Sequence, residues 1–248
     1  MQTQSINAAT RPDHFFKGQN IVIIGGSSGI GLETARQAKE AGGNVFLISR
    51  SPQRLQDASE AIGGAIQIVA DIANPRPTIF AGIERIDHLF ITAGTARLQP
   101  LTEESETDLR QVINERLIGP LLAVRAALPI LHSASSVTLT SAQLSSRPLN
   151  VGAIMAAAVS AVESLTRALA IELSPIRVNA IAPGMIDTPL LDALMGDEKR
   201  KVLEQTASNL PAKVVGRPED IAQAALFLMS NRFITGEVLH VDGGGRWV

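Results

Sequence analysis

The 248-residue sequence contains no cysteine and no tyrosine, and tryptophan occurs once. Without cysteine there is no disulfide, no thiolate metal site and no cysteine nucleophile. Without tyrosine there is no phenol to pass a proton. Charge of one sign is also scarce, since 22 Lys and Arg face 24 Asp and Glu for a formal net charge of −2. No basic surplus therefore draws the chain to nucleic acid or to an anionic membrane. The four histidines, His14, His88, His132 and His240, are scattered without metal-ligand spacing, and no metal is expected. Apolar stretches are short and interrupted, under the ~18–20 residues of a membrane span. Met1 to Gln19 is polar, with no apolar run of the signal-peptide kind. The expectation is a cytoplasmic protein whose partner is a small-molecule substrate, with no nucleic acid and no membrane.

What is present is an alternation. Asn20 to Ile24 is a short β-branched run of the kind that forms a buried parallel strand, and Gly25-Gly-Ser-Ser-Gly29 bounds it. Ile30 to Ala41 then spaces its apolar residues about one helical turn apart and ends at Gly42-Gly43. Further strands are expected at 45–48, 66–70, 88–92, 136–140, 177–182 and 238–241. Helices are expected at 51–61, 107–131, 151–173 and 219–229. Strands alternating with helices imply right-handed βαβ units. The fold class read from this order is α/β: a single-domain Rossmann fold, a doubly wound parallel sheet with helices on both faces. It is taken to occupy residues 16–248 after an N-terminal extension of residues 1–15.

Strand, Gly25-x-x-x-Gly29-x-Gly31 and helix, in that order, form a nucleotide-loop arrangement. The glycines permit a tight turn and close approach to a pyrophosphate, and the helix N-terminus offers unpaired N–H groups to the anion. At the end of the second strand an acid would bind a ribose 2′-hydroxyl and an arginine a 2′-phosphate. Here Ser49-Arg50-Ser51 carries no acid until Asp57. Arg50, with its planar donor fork, predicts NADP(H), preferred over NAD(H).

The order of motifs resembles the short-chain dehydrogenase/reductase family from about Phe16 to Gly244. Ile24-Gly-Gly-Ser-Ser-Gly-Ile-Gly31 is similar to its cofactor loop, with isoleucine in place of a threonine. Asp71-Ile72 looks like the pair that contacts adenine. Ile91-Thr-Ala-Gly94 is similar to the Asn-Asn-Ala-Gly segment, with both asparagines replaced. Asn114 is matched to the helix asparagine and Ser141 to the catalytic serine. Pro183-Gly-x-x-x-Thr188 resembles the segment that holds the nicotinamide, and Gly216-Arg-Pro-Glu-Asp and Val241-Asp-Gly-Gly resemble C-terminal signatures. The resemblance implies a cofactor site of Gly25, Ser27, Ser28, Gly29, Ile30, Gly31, Arg50, Asp71, Ile72, Ala93, Gly94, Pro183, Gly184, Ile186 and Thr188. It also implies a homodimer or homotetramer, built on the two long helices.

One part of the family pattern is missing. The family uses a Tyr-x-x-x-Lys pair, in which the lysine charge lowers the tyrosine pKa so that the phenol exchanges a proton with the substrate oxygen. The stretch Ala161-Val-Glu-Ser-Leu-Thr-Arg sets the register, which puts Met155 at the tyrosine position and Val159 at the lysine position. No lysine lies between Lys39 and Lys199 to repair it. A thioether and an isopropyl group cannot exchange protons, so Met155 and Val159 are expected to line an apolar substrate pocket, with Asn114 and Ser141 as the remaining catalytic residues. Substrate contacts are expected from 95–100, 142–154 and 187–211, the last with the apolar cluster Leu190, Leu191, Leu194 and Met195. The functional expectation is an oxidoreductase that transfers hydride to a substrate needing little proton help. The alternative is a catalytically inactive cofactor-binding sensor or partner subunit.

Overall fold

A computed structural model describes residues 15–248, so the extension at 1–15 lies, apart from Phe15, outside the described residues, as does His14. Seven strands form one parallel sheet: β1 (Asn20–Ile24), β2 (Asn44–Ser49), β3 (Ile66–Val69), β4 (Ile86–Ile91), β5 (Leu131–Thr140), β6 (Arg177–Pro183) and β7 (Val238–Val241). Their spatial order is β3-β2-β1-β4-β5-β6-β7. The chain leaves β1 toward β2 and β3 on one side, then crosses to β4 on the other. That reversal makes the C-terminal ends of β1 and β4 the place where an open α/β sheet leaves a crevice.

The helices are α1 (Gly29–Glu40), α2 (Pro52–Ala61), α3 (Glu106–Ile113), α4 (Gly119–Ala127), α5 (Ala153–Glu172), α6 (Pro189–Met195), α7 (Lys199–Asn209) and α8 (Pro218–Ser230). The sheet is apolar on both faces because helices cover both. Val22, Ile24 and Leu89 face a core cluster shared with Val124 of α4 and Val162 of α5. Ile21, Ile23 and Phe90 face another, shared with Ala35 of α1 and Ile221 of α8. Each fully buried Ile, Leu or Phe contributes roughly 1.5–3 kcal/mol, so the two faces jointly hold the sheet between the helix layers.

Three expectations change. The single helix at 107–131 is α3 and α4 joined by a π-helical turn over Asn114–Ile118, and β5 starts at Leu131 rather than Ser136. The break has a packing cause. Gly119 lies so close to the backbone of Ile72 that a Cβ there would sit on the Ile72 carbonyl oxygen. The helix must shift its register to bring a glycine to that contact, and a π-turn is how a helix does so. The apolar runs are also longer than expected, since α5 is long and apolar enough to cross a membrane by length and composition. Here α5 packs on β6, with Ala158, Val162, Thr166, Leu169 and Ala170 among its buried residues.

At the opposite end of β4, His88 is buried between strands. Its Nε2 meets the side-chain oxygen of Gln19 at 2.7 Å, and its Nδ1 meets Ser136 Oγ at 2.8 Å. A neutral ring satisfies both: Nε2–H donates to Gln19 and Ser136 donates to Nδ1. Burial, then the charge of Arg177, pushes His88 down to about 4.

Gly119→Ala is expected to cost about 1–3 kcal/mol or more by overpacking, measured by urea unfolding. The His88 ring stays neutral in the fold to about pH 4, whereas the unfolded chain protonates it near 6.5. Its contribution is therefore complete above pH 6.5 and is lost as pH falls from 6.5 to about 4, by at most about 3 kcal/mol. Unfolding curves across this range should slope downward toward acid, and His88→Gln should flatten part of the slope.

Candidate active site

The crevice is built first from the loop between β1 and α1. Gly25 adopts φ +92°, and a Cβ there would lie 2.7 Å from the amide nitrogen of Ala93 after β4. Gly31 sits against the carbonyl of Gly25, in a space that a side chain would fill. Two backbone segments therefore touch with no side chain between them, and the N-terminus of α1 is left facing outward. Anion binding at such a helix end needs only its unpaired N–H groups.

A groove of about 650 Å³ runs along this loop. Of the residues named from the sequence, Gly25, Ser27, Ser28, Gly29, Ile30, Arg50, Asp71, Ile72, Ala93, Gly94 and Thr188 line it. Gly31 does not line it but supports it from beneath. Pro183, Gly184 and Ile186 line the adjoining chamber instead. At the β2 end the groove also gathers Ser49 and Arg54 beside Arg50. Ser49 Oγ is buried without a hydrogen-bond partner among the described residues. Arg54 is placed by the start of α2, where Ser51 caps the helix by accepting from the Arg54 amide at 3.3 Å. The Ser51-Pro52 helix start was legible in the sequence and could have flagged Arg54. An orphaned hydroxyl beside two guanidinium groups, with a glycine cradle at the other side, fits a dinucleotide carrying an extra phosphate on its ribose.

The groove opens into a chamber of about 780 Å³, and Ile30, Thr92, Gly94, Thr188 and Leu190 line both. Met155 and Val159, on the buried face of α5, form part of the chamber wall with Leu98, Leu144, Leu149, Leu191, Leu194 and Met195. Met155 and Val159 thus lie together on the wall of one largely apolar cavity.

Ser141, 2 % exposed, also lines the chamber. Its hydroxyl donates to Glu163 Oε1 at 2.9 Å and approaches the Val159 carbonyl at 3.1 Å. Glu163 was missed by the sequence reading, which used it only as part of the stretch that sets the register of this helix.

Asn114 needs correction. It is exposed and lines neither cavity. Residues two apart on a helical turn point to roughly opposite sides, and the inward residue of this turn is Arg116, which lines the chamber. Arg116 Nε and Nη2 donate to the Thr95 carbonyl at 3.0 and 2.5 Å. Burial pulls its guanidinium below the usual range, and neighbouring Glu115 opposes that shift. Glu115, 3 % exposed, lines the groove and accepts from Thr95 through both the amide, at 3.1 Å, and Oγ1, at 2.5 Å. Its burial would raise its pKa. The Thr95 and Gln111 hydrogen bonds and the charge of Arg50 hold it below the usual carboxylate range instead. Neither residue could be assigned from sequence, because the π-turn that orients them depends on the Gly119 contact. Among the described residues no group of three His, Cys, Asp or Glu could hold a metal.

A parallel sheet in this order, a glycine loop at its crossover and a groove leading to an apolar chamber define a Rossmann-type, nucleotide-dependent protein. The family model described as Enoyl-(Acyl carrier protein) reductase matches residues 24–245. Short-chain dehydrogenase/reductase ATR9 of Stachybotrys chlorohalonatus is 32% identical over 246 residues, covering 92% of this chain and 97% of that protein. Galactitol 2-dehydrogenase (L-tagatose-forming) of Cereibacter sphaeroides is 34% identical, covering 92% and 94%. The solved structure of MalC Reductase/Diels-Alderase from Malbranchea aurantiaca superposes with a TM-score of 0.87 at 27% identity, covering 95% of this chain and 99% of that one. The L-sorbose reductase of Gluconobacter frateurii, solved with NADPH and L-sorbose, gives 0.85 at 25% identity, covering 95% and 99%. The chain belongs to the short-chain dehydrogenase/reductase family and is an oxidoreductase of that type.

Gly25→Ala is expected to weaken NADPH and NADH binding together, by ~10-fold or more, because it displaces the loop that both nucleotides share. Calorimetric titration of the variant with each nucleotide checks this.

Proposed function

We propose that this protein is an NADP(H)-dependent reductase, with NADP(H) preferred over NAD(H), that transfers hydride to a small apolar substrate without a Tyr/Lys acid–base pair. One observation carries the reading: a groove with Arg50, Arg54 and the unpartnered Ser49 hydroxyl at one end opens, at the other, into an apolar chamber walled by Met155 and Val159. The solved NADPH complexes among the similar proteins support the choice of cofactor.

In this reading the glycine loop and the α1 N-terminus hold the pyrophosphate, Asp71 and Ile72 meet the adenine, and Arg50 with Arg54 holds the 2′-phosphate. Gly94 and Thr188 hold the nicotinamide where groove and chamber meet. The bound cofactor supplies hydride. The chain's own work is to bind, orient and exclude water, since neither Met155 nor Val159 can move a proton. Losing a positioned acid or base costs about 10²–10⁴ in rate. The substrates that fit are ones whose acceptor carbon is already electron-poor: imines, quinones or activated ketones. The protein acts as a homodimer or homotetramer in the cytoplasm, and the exposed Phe233 and Trp247 are available to such contacts.

Arg50→Ala should weaken NADPH binding by about 10-fold or more while leaving NADH within about twofold, because it removes only the phosphate's charge-assisted bonds. Calorimetry with both nucleotides measures that difference. NADPH oxidation with a panel of imines, quinones and activated ketones then tests turnover. Tight NADPH binding with no oxidation anywhere in the panel would instead favour a cofactor sensor.

A further inference from the structure

The chamber wall carries two arginines, Arg116 and Arg147, and among the described residues no acidic side chain, histidine or lysine. Two of its hydroxyls, on buried Ser141 and half-buried Thr140, spend their protons on other protein groups. Ser141 donates toward Glu163 and the Val159 carbonyl, and Thr140 Oγ1 donates to the Ile91 carbonyl at 2.8 Å. Each has one proton to give, so Ser141 meets the chamber as an acceptor and not as the donor a carbonyl oxygen would need.

Arg116 has donors left. Its Nε and Nη2 bond the Thr95 carbonyl, while Nη1 has no partner among the described residues. Its position is fixed at the junction of the two cavities. A Cβ added to Gly94, which lines both groove and chamber, would lie 2.8 Å from Arg116 Nε. The guanidinium thus stands in an apolar space beside the point where cofactor and substrate meet. In such a space a fixed charge acts more strongly than in water.

We infer that Arg116 is the electrophilic group of the site, and that the substrate is an apolar quinone whose reduction leaves a delocalised oxyanion against this guanidinium. The inference rests on the reductase reading above. A hydride leaves the dihydronicotinamide, which is oxidised by two electrons, and forms an O–H bond at one quinone oxygen. The quinone is reduced by the same two electrons, and the displaced pair comes to rest on oxygen as an aryloxide. Water supplies the final proton. An aryloxide has the modest basicity of a phenol, with pKa ~10, so charge stabilisation can replace the missing acid. A cationic imine would meet Arg116 as a like charge.

The experiment uses 4-nitrophenol, whose anion absorbs visible light, titrated between about pH 5 and 9 with the protein saturated by NADP⁺. Binding to the native protein should favour the anion and lower the phenol's apparent pKa by about one unit or more, the equivalent of a tenfold preference. Arg116→Gln should abolish the shift, and Arg116→Lys should keep part of it. NADP⁺ affinity, measured on each variant, reports whether the nucleotide site remains folded. In turnover, Arg116→Gln should slow 1,4-naphthoquinone reduction about 10²-fold or more. An unchanged phenol shift in Arg116→Gln, with NADP⁺ still bound, would overturn the inference. So would a shift lost in Arg147→Gln but kept in Arg116→Gln, or an imine reduced faster than any quinone. NADPH oxidation absent with every acceptor, while the phenol shift still depends on Arg116, would overturn the reductase reading and leave the oxyanion site standing.

Discussion

The contact on which the site depends is backbone against backbone where β1 meets β4. Gly25 approaches the amide of Ala93, and Gly31 packs on the carbonyl of Gly25. Any side chain at these positions would part the two strand ends, and the groove with them. Because the strand order reverses between these strands, the contact also fixes where the crevice opens. A second contact of the same kind, Gly119 on Ile72, sets the register of the α3–α4 segment. The two contacts lie on either side of the cofactor groove and determine which side chains reach it.

That second contact explains the change in the chemistry of the site. The π-turn over Asn114–Ile118 sends Asn114 to solvent and turns Glu115 and Arg116 inward. Glu115 ties down Thr95, and Thr95 in turn offers its carbonyl to Arg116. Carboxylate, loop and guanidinium thus form one connected support at the mouth of the chamber. A family site normally places its positive charge on the helix here called α5. In this chain that helix contributes Met155 and Val159, and the positive charge comes from the facing segment.

Apolar residues at the family's proton-transfer positions make the chamber wall richer in hydrocarbon. Beside hydrocarbon a charged group acts more strongly than it does in water. Ser141 illustrates the same shift of roles. With its hydroxyl turned to Glu163, it offers the chamber a lone pair where the family pattern expects a donor.

The sequence alone determined the βαβ alternation, the glycine loop, Arg50 and the family, because each is written in contiguous residues whose local physics is strong. Periodicity sets strand or helix, a glycine run at a strand end sets the turn, and the absence of tyrosine is a matter of counting. It also determined that Met155 and Val159 share a wall, since positions four apart lie on one helix face. Only the tertiary structure decided that Arg54 joins Arg50, that Glu163 accepts the Ser141 hydrogen bond, and that Arg116 rather than Asn114 lines the chamber. Those three depend on distances between elements far apart in the chain. In the last case they depend also on a π-turn whose cause, the crowding of Gly119 on Ile72, lies 47 positions away in sequence.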